Sequence, residues 1–288
     1  MKTLRNIVIA LLSLLSIIAI LIGIAAYITE TDIDAQRQHI LEVAQQTKAP
    51  IIPDASALAS LPQPVQRFFQ FTFPNGIPSD ISAVQIEMKG MFRRPKSESF
   101  NKTTAHQTFA TRQPALVFDA RTSVIPLVWA RAYDVYAQGE MTMKAKVLSA
   151  ITLVNEVSSP ELNRISLRRW LLESSYYPMA LLPGGVVQWQ SMDDTHARAT
   201  VHSDGLSASM VATFAPDGRL LQWDSEEDGD LQTPYHGSGE HAARDDYRLI
   251  DNIMIPMKFS VARAAKGQIY PFWQGQVTHI QMIRATHP

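Results

Sequence analysis

The sequence contains no cysteine. That absence excludes disulfides, thiolate zinc sites, a cysteine nucleophile and a lipidated N-terminal cysteine. Charge is also scarce: 18% of residues are charged, the net charge is −1, and no run of like charges occurs. A nucleic-acid partner needs a concentrated basic surface, so none is expected. Glycine is sparse, 13 residues in 288, and no GxGxxG or phosphate-cradling loop is present. Nucleotide binding therefore lacks its usual backbone cradle. Neither an HExxH pair nor a GxSxG elbow occurs. Ser99-Phe100-Asn101-Lys102 satisfies the loose pattern SxxK, but so short a pattern arises by chance and this one lies between strands. No catalytic signature names a reaction, and neither a cofactor nor a metal is expected.

What the sequence does have is one long apolar run. Ile7 to Ile28 reads IVIALLSLLSIIAILIGIAAYI, without a charge. As a helix it spans roughly 33 Å at ~1.5 Å per residue, which matches a hydrocarbon core of ~30 Å. Lys2 and Arg5 precede the run, while Glu30, Asp32 and Asp34 follow it. A basic N-terminal flank places residues 1–6 in the cytoplasm and sends the rest outside. The expectation is a single-pass anchor in a bacterial inner membrane, with residues 59–288 as an extracytoplasmic domain. A cleaved secretory signal, with Ala25-Ala26 near the cut, is the alternative; its apolar region is usually ~7–15 residues, shorter than this one.

Residues 29–58 read as a connector. Ile33, Arg37, Ile40, Leu41 and Ala44 recur at helical spacing, which predicts a juxtamembrane helix from about Thr31 to Lys48, stopped by Pro50 and Pro53 and acting as a stalk. Leu61–Phe69 (LPQPVQRFF) begins a second helix with Pro64 in its first turn. Strands follow. Val84, Ile86, Met88 and Phe92 alternate with Gln85, Glu87 and Lys89, a period of two that marks a half-buried strand. The rhythm recurs at 141–147, 197–201, 208–214, 221–223 and 257–261, and Pro216-Asp217-Gly218 marks a hairpin turn. Ser159-Pro160-Glu161 supplies an N-cap, a first-turn proline and an acidic residue, so a helix interrupts the strands there. The predicted fold is α+β: an N-terminal transmembrane helix, then one large curved antiparallel β-sheet, half-barrel-like, with a few helices packed on one face.

Eight histidines invite a metal reading. His196 and His202 share a strand face but lie about 20 Å apart at ~3.4 Å per residue, too far to share an ion. The carboxylates Asp224, Glu226, Glu227, Asp228 and Asp230 read as a solvated strand end, because acid–base work needs pKa values raised by burial or crowding. An aromatic and basic group is more suggestive. Arg169 and Glu173 are spaced i,i+4 on one helix beside Trp170, with Tyr176-Tyr177-Pro178 after it. The plain reading is a surface salt bridge beside core aromatics. The functional reading is a polar rim at the mouth of an apolar cavity, to which Trp189, Tyr235, Phe272 and Trp273 could contribute.

Four segments carry a resemblance: LPQPVQRFF, FDAR (Phe118–Arg121), Pro160–Pro183 and Pro271–Gln281. Together they resemble a family of bacterial proteins catalogued as a domain of unknown function, over about Leu61 to Ile283. The helical block is the most specific part, falling on Arg169, Trp170, Leu171, Glu173, Tyr177, Pro178 and Pro183. A departure is Tyr235-His236-Gly237, where many members carry a tryptophan after the proline. The resemblance implies an envelope setting and supplies no activity. At fold level, Pro216–Leu220, Tyr247–Pro256 and a closing pair of strands are similar to envelope lipoprotein-carrier and lipid-binding half-barrels. The leading expectation is thus a binding module for a lipid or other amphipathic ligand, with Arg121, Arg169, Trp170, Glu173, Tyr177, Trp189, Tyr235 and Trp273 as candidate ligand residues. The alternatives are an envelope enzyme, for which Arg169, Glu173 and Asp119 are the polar candidates, and a structural or interaction protein.

Overall fold

The computed structural model describes residues 1–46, 52–94, 97–231 and 239–285. The chain opens with one uninterrupted helix, α1 (Lys2–Gln45). No proline or glycine separates Ile28 from Thr31, so the apolar run and the juxtamembrane helix form a single rod of about 66 Å at 1.5 Å per residue. The expected end at Lys48 and the stop at Pro50 lie outside the described residues. Residues 7–21 of the rod are all exposed, whereas Thr29, Ile33, Ile40, Val43 and Ala44 are buried. The distal part is therefore no stalk; it is docked on the domain. Two short helices follow, α2 (Ala55–Ala59) and α3 (Gln63–Thr72), with Pro64 in the first turn of α3.

Among the described residues thirteen antiparallel strands form one unclosed sheet. The first meander is β1 (Ile81–Arg93), β2 (Phe100–Ala110), β3 (Leu116–Ile125), β4 (Val128–Ala137), β5 (Glu140–Val147) and β6 (Ile151–Glu156). Helix α4 (Pro160–Glu173) and two 3-10 turns (Ser174–Tyr176 and Pro178–Leu181) cross to the other edge. The second meander is β7 (Val187–Ser191), β8 (His196–Ser203), β9 (Leu206–Phe214), β10 (Leu220–Asp224), β11 (Glu240–Ile250), β12 (Ile253–Ala265) and β13 (Gln268–Arg284). The last strand pairs with the first, so the order is 6-5-4-3-2-1-13-12-11-10-9-8-7.

The sheet curls around α3 and α4, whose side chains fill the inside. Phe68, Trp170, Leu171, Tyr176, Tyr177 and Leu181 are almost wholly buried there in one core with Phe109, Tyr136, Met210, Phe214 and Trp223. Helix α4 begins as its sequence dictates: the Ser159 hydroxyl accepts the Leu162 N–H at 3.2 Å, with Pro160 in the first turn. Gly218 shapes the β9–β10 turn at φ +93°, and a Cβ there would meet the Arg67 carbonyl oxygen at 2.3 Å. Glycine therefore lets α3 press against that hairpin.

Helix α1 lies on the opposite, outer face. Ile40, Val43 and Ala44 pack on Ala83, Ala110, Ala115 and Val117. Alanines on β1, on β2 and just before β3 leave room for the helix to approach closely. Burying an Ile or Val side chain fully stabilises by about 1.5–3 kcal/mol, so this seat is energetically significant. The domain's later helices do share one face, but the sheet is covered on both.

Candidate functional site

The helical block holds half of the sequence-predicted ligand residues, Arg169, Trp170, Glu173 and Tyr177, and the structure buries the last three. Trp170 is fully buried and donates from Nε1 to the Ala110 carbonyl at 3.2 Å. The Tyr177 hydroxyl donates to the Trp170 carbonyl, and burial pushes its pKa up. Trp189 donates to the Leu181 carbonyl at 2.9 Å and stacks on Trp223, with ring centroids 6.0 Å apart. Trp273 is buried against Phe259 at 5.1 Å. Tyr235 lies outside the described residues.

The expected Arg169–Glu173 pair does not form. Arg169 instead donates to Asp134 of β4 at 2.6 Å and lies over the Phe118 ring, 4.7 Å from its centroid. Burial outweighs the Arg169 charge and raises the Asp134 pKa. Glu173 accepts from Arg244 of β11 at 3.1 Å. Arg244 also donates to the Leu172 carbonyl at 3.0 Å and the Ser175 hydroxyl at 2.9 Å, closing the C-terminal end of α4. Asp134 lies 35 residues before Arg169 and Arg244 lies 71 residues after Glu173, so spacing along α4 alone could not reveal either partner.

The carboxylates that read as a solvated strand end are likewise engaged. Glu226 binds Arg198, Glu227 binds Arg164 and Arg168, and Asp224 lies 2.5 Å from His241. Among the described residues no group of three or more His, Asp or Glu side chains is arranged to hold a metal ion.

Two polar constellations occupy the outer face. The first is the seat of α1, centred on Asp119 of β3, whose side chain is almost wholly buried. It accepts from Arg131 of β4 at 2.7 Å, Arg37 of α1 at 3.0 Å, and lies 3.1 Å from His106 Nδ1 of β2. Arg131 reaches on to Glu30 with two bonds of 2.8 and 2.7 Å, a fork-on-fork pair. Beside it the Tyr133 hydroxyl donates to Asp32 at 2.6 Å. Burial alone would raise the Asp119 pKa, but the bonds from His106 and Arg131 and the Arg131 charge more than offset it, so the pKa lies below the usual aspartate value. The His106 pKa is raised, chiefly by its bond to Asp119 and against the effect of burial. Asp119 is thus committed to positive partners, which is poor preparation for general base or acid work.

The second constellation is an open basin of about 690 Å³ further toward the free end of β3. Its cations are Lys89 of β1, Lys102 of β2, Arg121 of β3 and Lys258 of β12. Strand register explains the grouping: Arg121 faces Thr104, Thr104 faces Lys89, Lys89 faces Gln276, and Gln276 faces Lys258. One row across five strands therefore sends three cations to the outer face. Among the described residues no acidic side chain lines the basin; the other polar lining is Thr103, Thr104, Ser123, Gln274 and Gln276. The floor is the Gly90–Gly275 pair. A Cβ on Gly90 would stand 2.1 Å from the Gln274 carbonyl oxygen, and one on Gly275 would stand 2.2 Å from that of Lys89. Only glycine permits the sheet to bend this tightly.

Of the predicted ligand residues that the structure describes, Arg121 alone belongs to this basin, where it lies 4.1 Å from the centroid of Trp129. Lys89, Lys102 and Lys258 were not anticipated. Lys89 was visible as the wet side of β1, but only the β13 crossover brings Lys258 near it.

Fold and surface together define a class: a curled antiparallel sheet with a helical plug inside, carried on a long apolar N-terminal helix docked outside. The chain belongs to DUF6920, a family of unknown function, whose profile matches residues 59–282. No curated protein matches it. Among solved structures it is similar to a LolA superfamily protein from Nitrosomonas europaea, at 9% identity over 76% of this chain and 92% of that one, with a TM-score of 0.37. It is also similar to a beta-barrel-like protein of the DUF1849 domain of unknown function from Brucella abortus, at 9% identity over 71% and 99% of the two chains, with a TM-score of 0.26.

Proposed function

We propose that this chain is a single-pass membrane protein of the cell envelope, with its domain outside the cytoplasm, and that the outer basin holds the head group of an anionic lipid or similar amphipathic molecule. The observation that carries the ligand reading is the basin itself, whose described wall has four cations and no carboxylate. Anions are drawn to such a site, and hydroxyl and amide groups there can bond phosphate or carboxylate oxygens. The space inside the curl is filled by α3 and α4, so a bound acyl chain lies along the outer surface. Membrane residence is supported by the apolar, charge-free stretch of α1, in which residues 7–21 are all exposed. An exposed apolar rod of that length needs a nonpolar surrounding.

The test is native mass spectrometry of the full-length protein extracted from membranes in mild detergent. Phospholipid should remain bound, with phosphatidylglycerol preferred over phosphatidylethanolamine. A cation near an anionic head group contributes about 1 kcal/mol, so the Lys89→Gln/Lys258→Gln double variant should weaken retention roughly 25-fold. Retention of no lipid, or equal retention by the double variant, would remove the basin as a lipid site.

A further inference from the structure

We propose that the β3–β4 hairpin tip, with Ile125, Leu127 and Trp129, and the adjacent residues Ile151 and Leu153 of β6 dip into the interfacial layer of the bilayer, making a second membrane contact beside the helix. The inference rests on the reading of α1 as a membrane span.

Position is the first argument. Helix α1 runs obliquely over the sheet: Gln45 bonds Ser82 of β1 at 3.1 Å, Arg37 bonds Asp119 of β3, and Glu30 bonds Arg131 of β4. It leaves the sheet at Thr29, whose hydroxyl donates to the Ser149 carbonyl in the β5–β6 turn at 3.0 Å. Ser149 Oγ in turn accepts from Trp129 Nε1 at 3.2 Å. Thr29, Ser149 and Trp129 therefore form one connected level, and Thr29 immediately follows the last residue of the apolar run. Leu127 lies beyond Trp129 at the hairpin tip, on the side away from the Gln45 end, and Ile151 follows Ser149 directly after the turn. All of these side chains stand at the height where the helix enters the bilayer.

Chemistry is the second argument. Ile125, Leu127, Ile151 and Leu153 are 62%, 92%, 60% and 68% exposed, an unusual gathering of aliphatic side chains outside the span. Leu127 holds this place at φ +67°, a left-handed conformation that favours glycine or asparagine. Keeping a leucine there costs backbone strain that a polar turn residue would avoid. Around the apolar tip stand Arg121, Lys102 and Lys146, and Trp129 has the amphipathic ring that settles at the head-group level. Apolar residues at the tip, an aromatic at the level of the head groups and cations behind it form the sequence of layers that a bilayer surface presents in reverse.

The chain's lack of cysteine makes the test direct. The full-length protein carrying Leu127→Cys, labelled with an environment-sensitive NBD dye, is reconstituted into vesicles of phosphatidylethanolamine and phosphatidylglycerol. A Leu249→Cys label at the opposite end of the domain, beside the β11–β12 turn, is the aqueous control, and an Ile17→Cys label reports on the span. The label at 127 should brighten several-fold relative to the label at 249 and be quenched by lipids bearing a nitroxide on the acyl chain. A dark, unquenched label at 127 with a quenched label at 17 overturns the second contact while leaving the anchor intact. If the label at 17 is also unquenched, the anchor reading fails as well. Should the cysteine at 127 disturb the turn, the same readout applies to Ile125→Cys.

Discussion

Arg131 is the joint between α1 and the sheet, and Arg131→Met tests it. Methionine keeps much of the apolar stem and removes the guanidinium. Three charge-assisted bonds disappear, two to Glu30 and one to Asp119. Such bonds are worth about 1.5–3 kcal/mol each, but the Glu30 side chain is 47% exposed, so its share is strongly screened. Relief from burying Arg131 offsets part of the loss. Asp119 keeps Arg37 and His106, so the cost should fall at the low end of the ~3–5 kcal/mol seen when one partner of a buried pair is removed. About 3 kcal/mol lowers Tm by roughly 6–12 °C in a domain of this size. The assay is thermal unfolding of the full-length protein in detergent, followed by near-ultraviolet circular dichroism. Asp34→Ala, which removes an exposed partner of Arg37, should change Tm by no more than about 3 °C. An Arg131→Met protein that melts within about 2 °C of the parent would refute the buried joint. A Glu30→Gln/Arg131→Met double-mutant cycle with no coupling would refute the docking of α1 through this pair.

Other outcomes follow from the same geometry. The raised His106 pKa means that its pairing contributes fully below pH 6.5 and is lost as pH rises through the folded-state value above that. The lowered Asp119 pKa acts at the other end: its contribution is present above pH 3.8 and is lost as pH falls through the folded-state value below that. Tm of the parent should therefore decline on the alkaline side of pH 6.5, and His106→Leu should flatten that decline; an unchanged profile would count against the pairing. Glu173→Leu leaves Arg244, whose side chain is wholly buried, without its carboxylate, and should cost about 3–5 kcal/mol in urea unfolding; a loss below 1 kcal/mol would contradict a buried pair. Gly90→Ala forces a methyl against the Gln274 carbonyl and should destabilise by roughly 1–3 kcal/mol, measured in the same titration, whereas a neutral effect would mean the β1–β13 pair can open without cost.

Legibility differed from strand to strand, and the reason is which faces are covered. In β5, β8, β9, β12 and the part of β1 beyond Ala83, one face meets the filled interior and the other meets solvent or polar groups, so alternation shows in the sequence. Strand β3 begins Leu116-Val117-Phe118 because Leu116 and Phe118 point inward while Val117 lies under α1. Coverage on both faces erases the period of two. Strand β2 is obscure for another reason: of its buried inward residues only Phe109 is large and apolar, while Thr103, Ala105 and Gln107 are small or polar. The candidate site was less legible still. Arg121 was singled out within FDAR, but its basin partners come from β1, β2 and β12, and the register that aligns them is set by the return of β13 to β1.

The sequence by itself determined the local matters: the long apolar helix, the Ser159 cap and Pro160 start of α4, the Pro216-Asp217-Gly218 turn and the sheet-forming alternation. Each depends on residues a few positions apart, where backbone preference and side-chain period act directly. Tertiary structure alone decided which charges meet. Arg169 found Asp134 instead of Glu173, Glu173 found Arg244, and Arg131 joined Glu30 across the seat of α1. Ion pairs are chosen by proximity after the chain has folded, and a buried charge takes whichever partner the packing brings within reach.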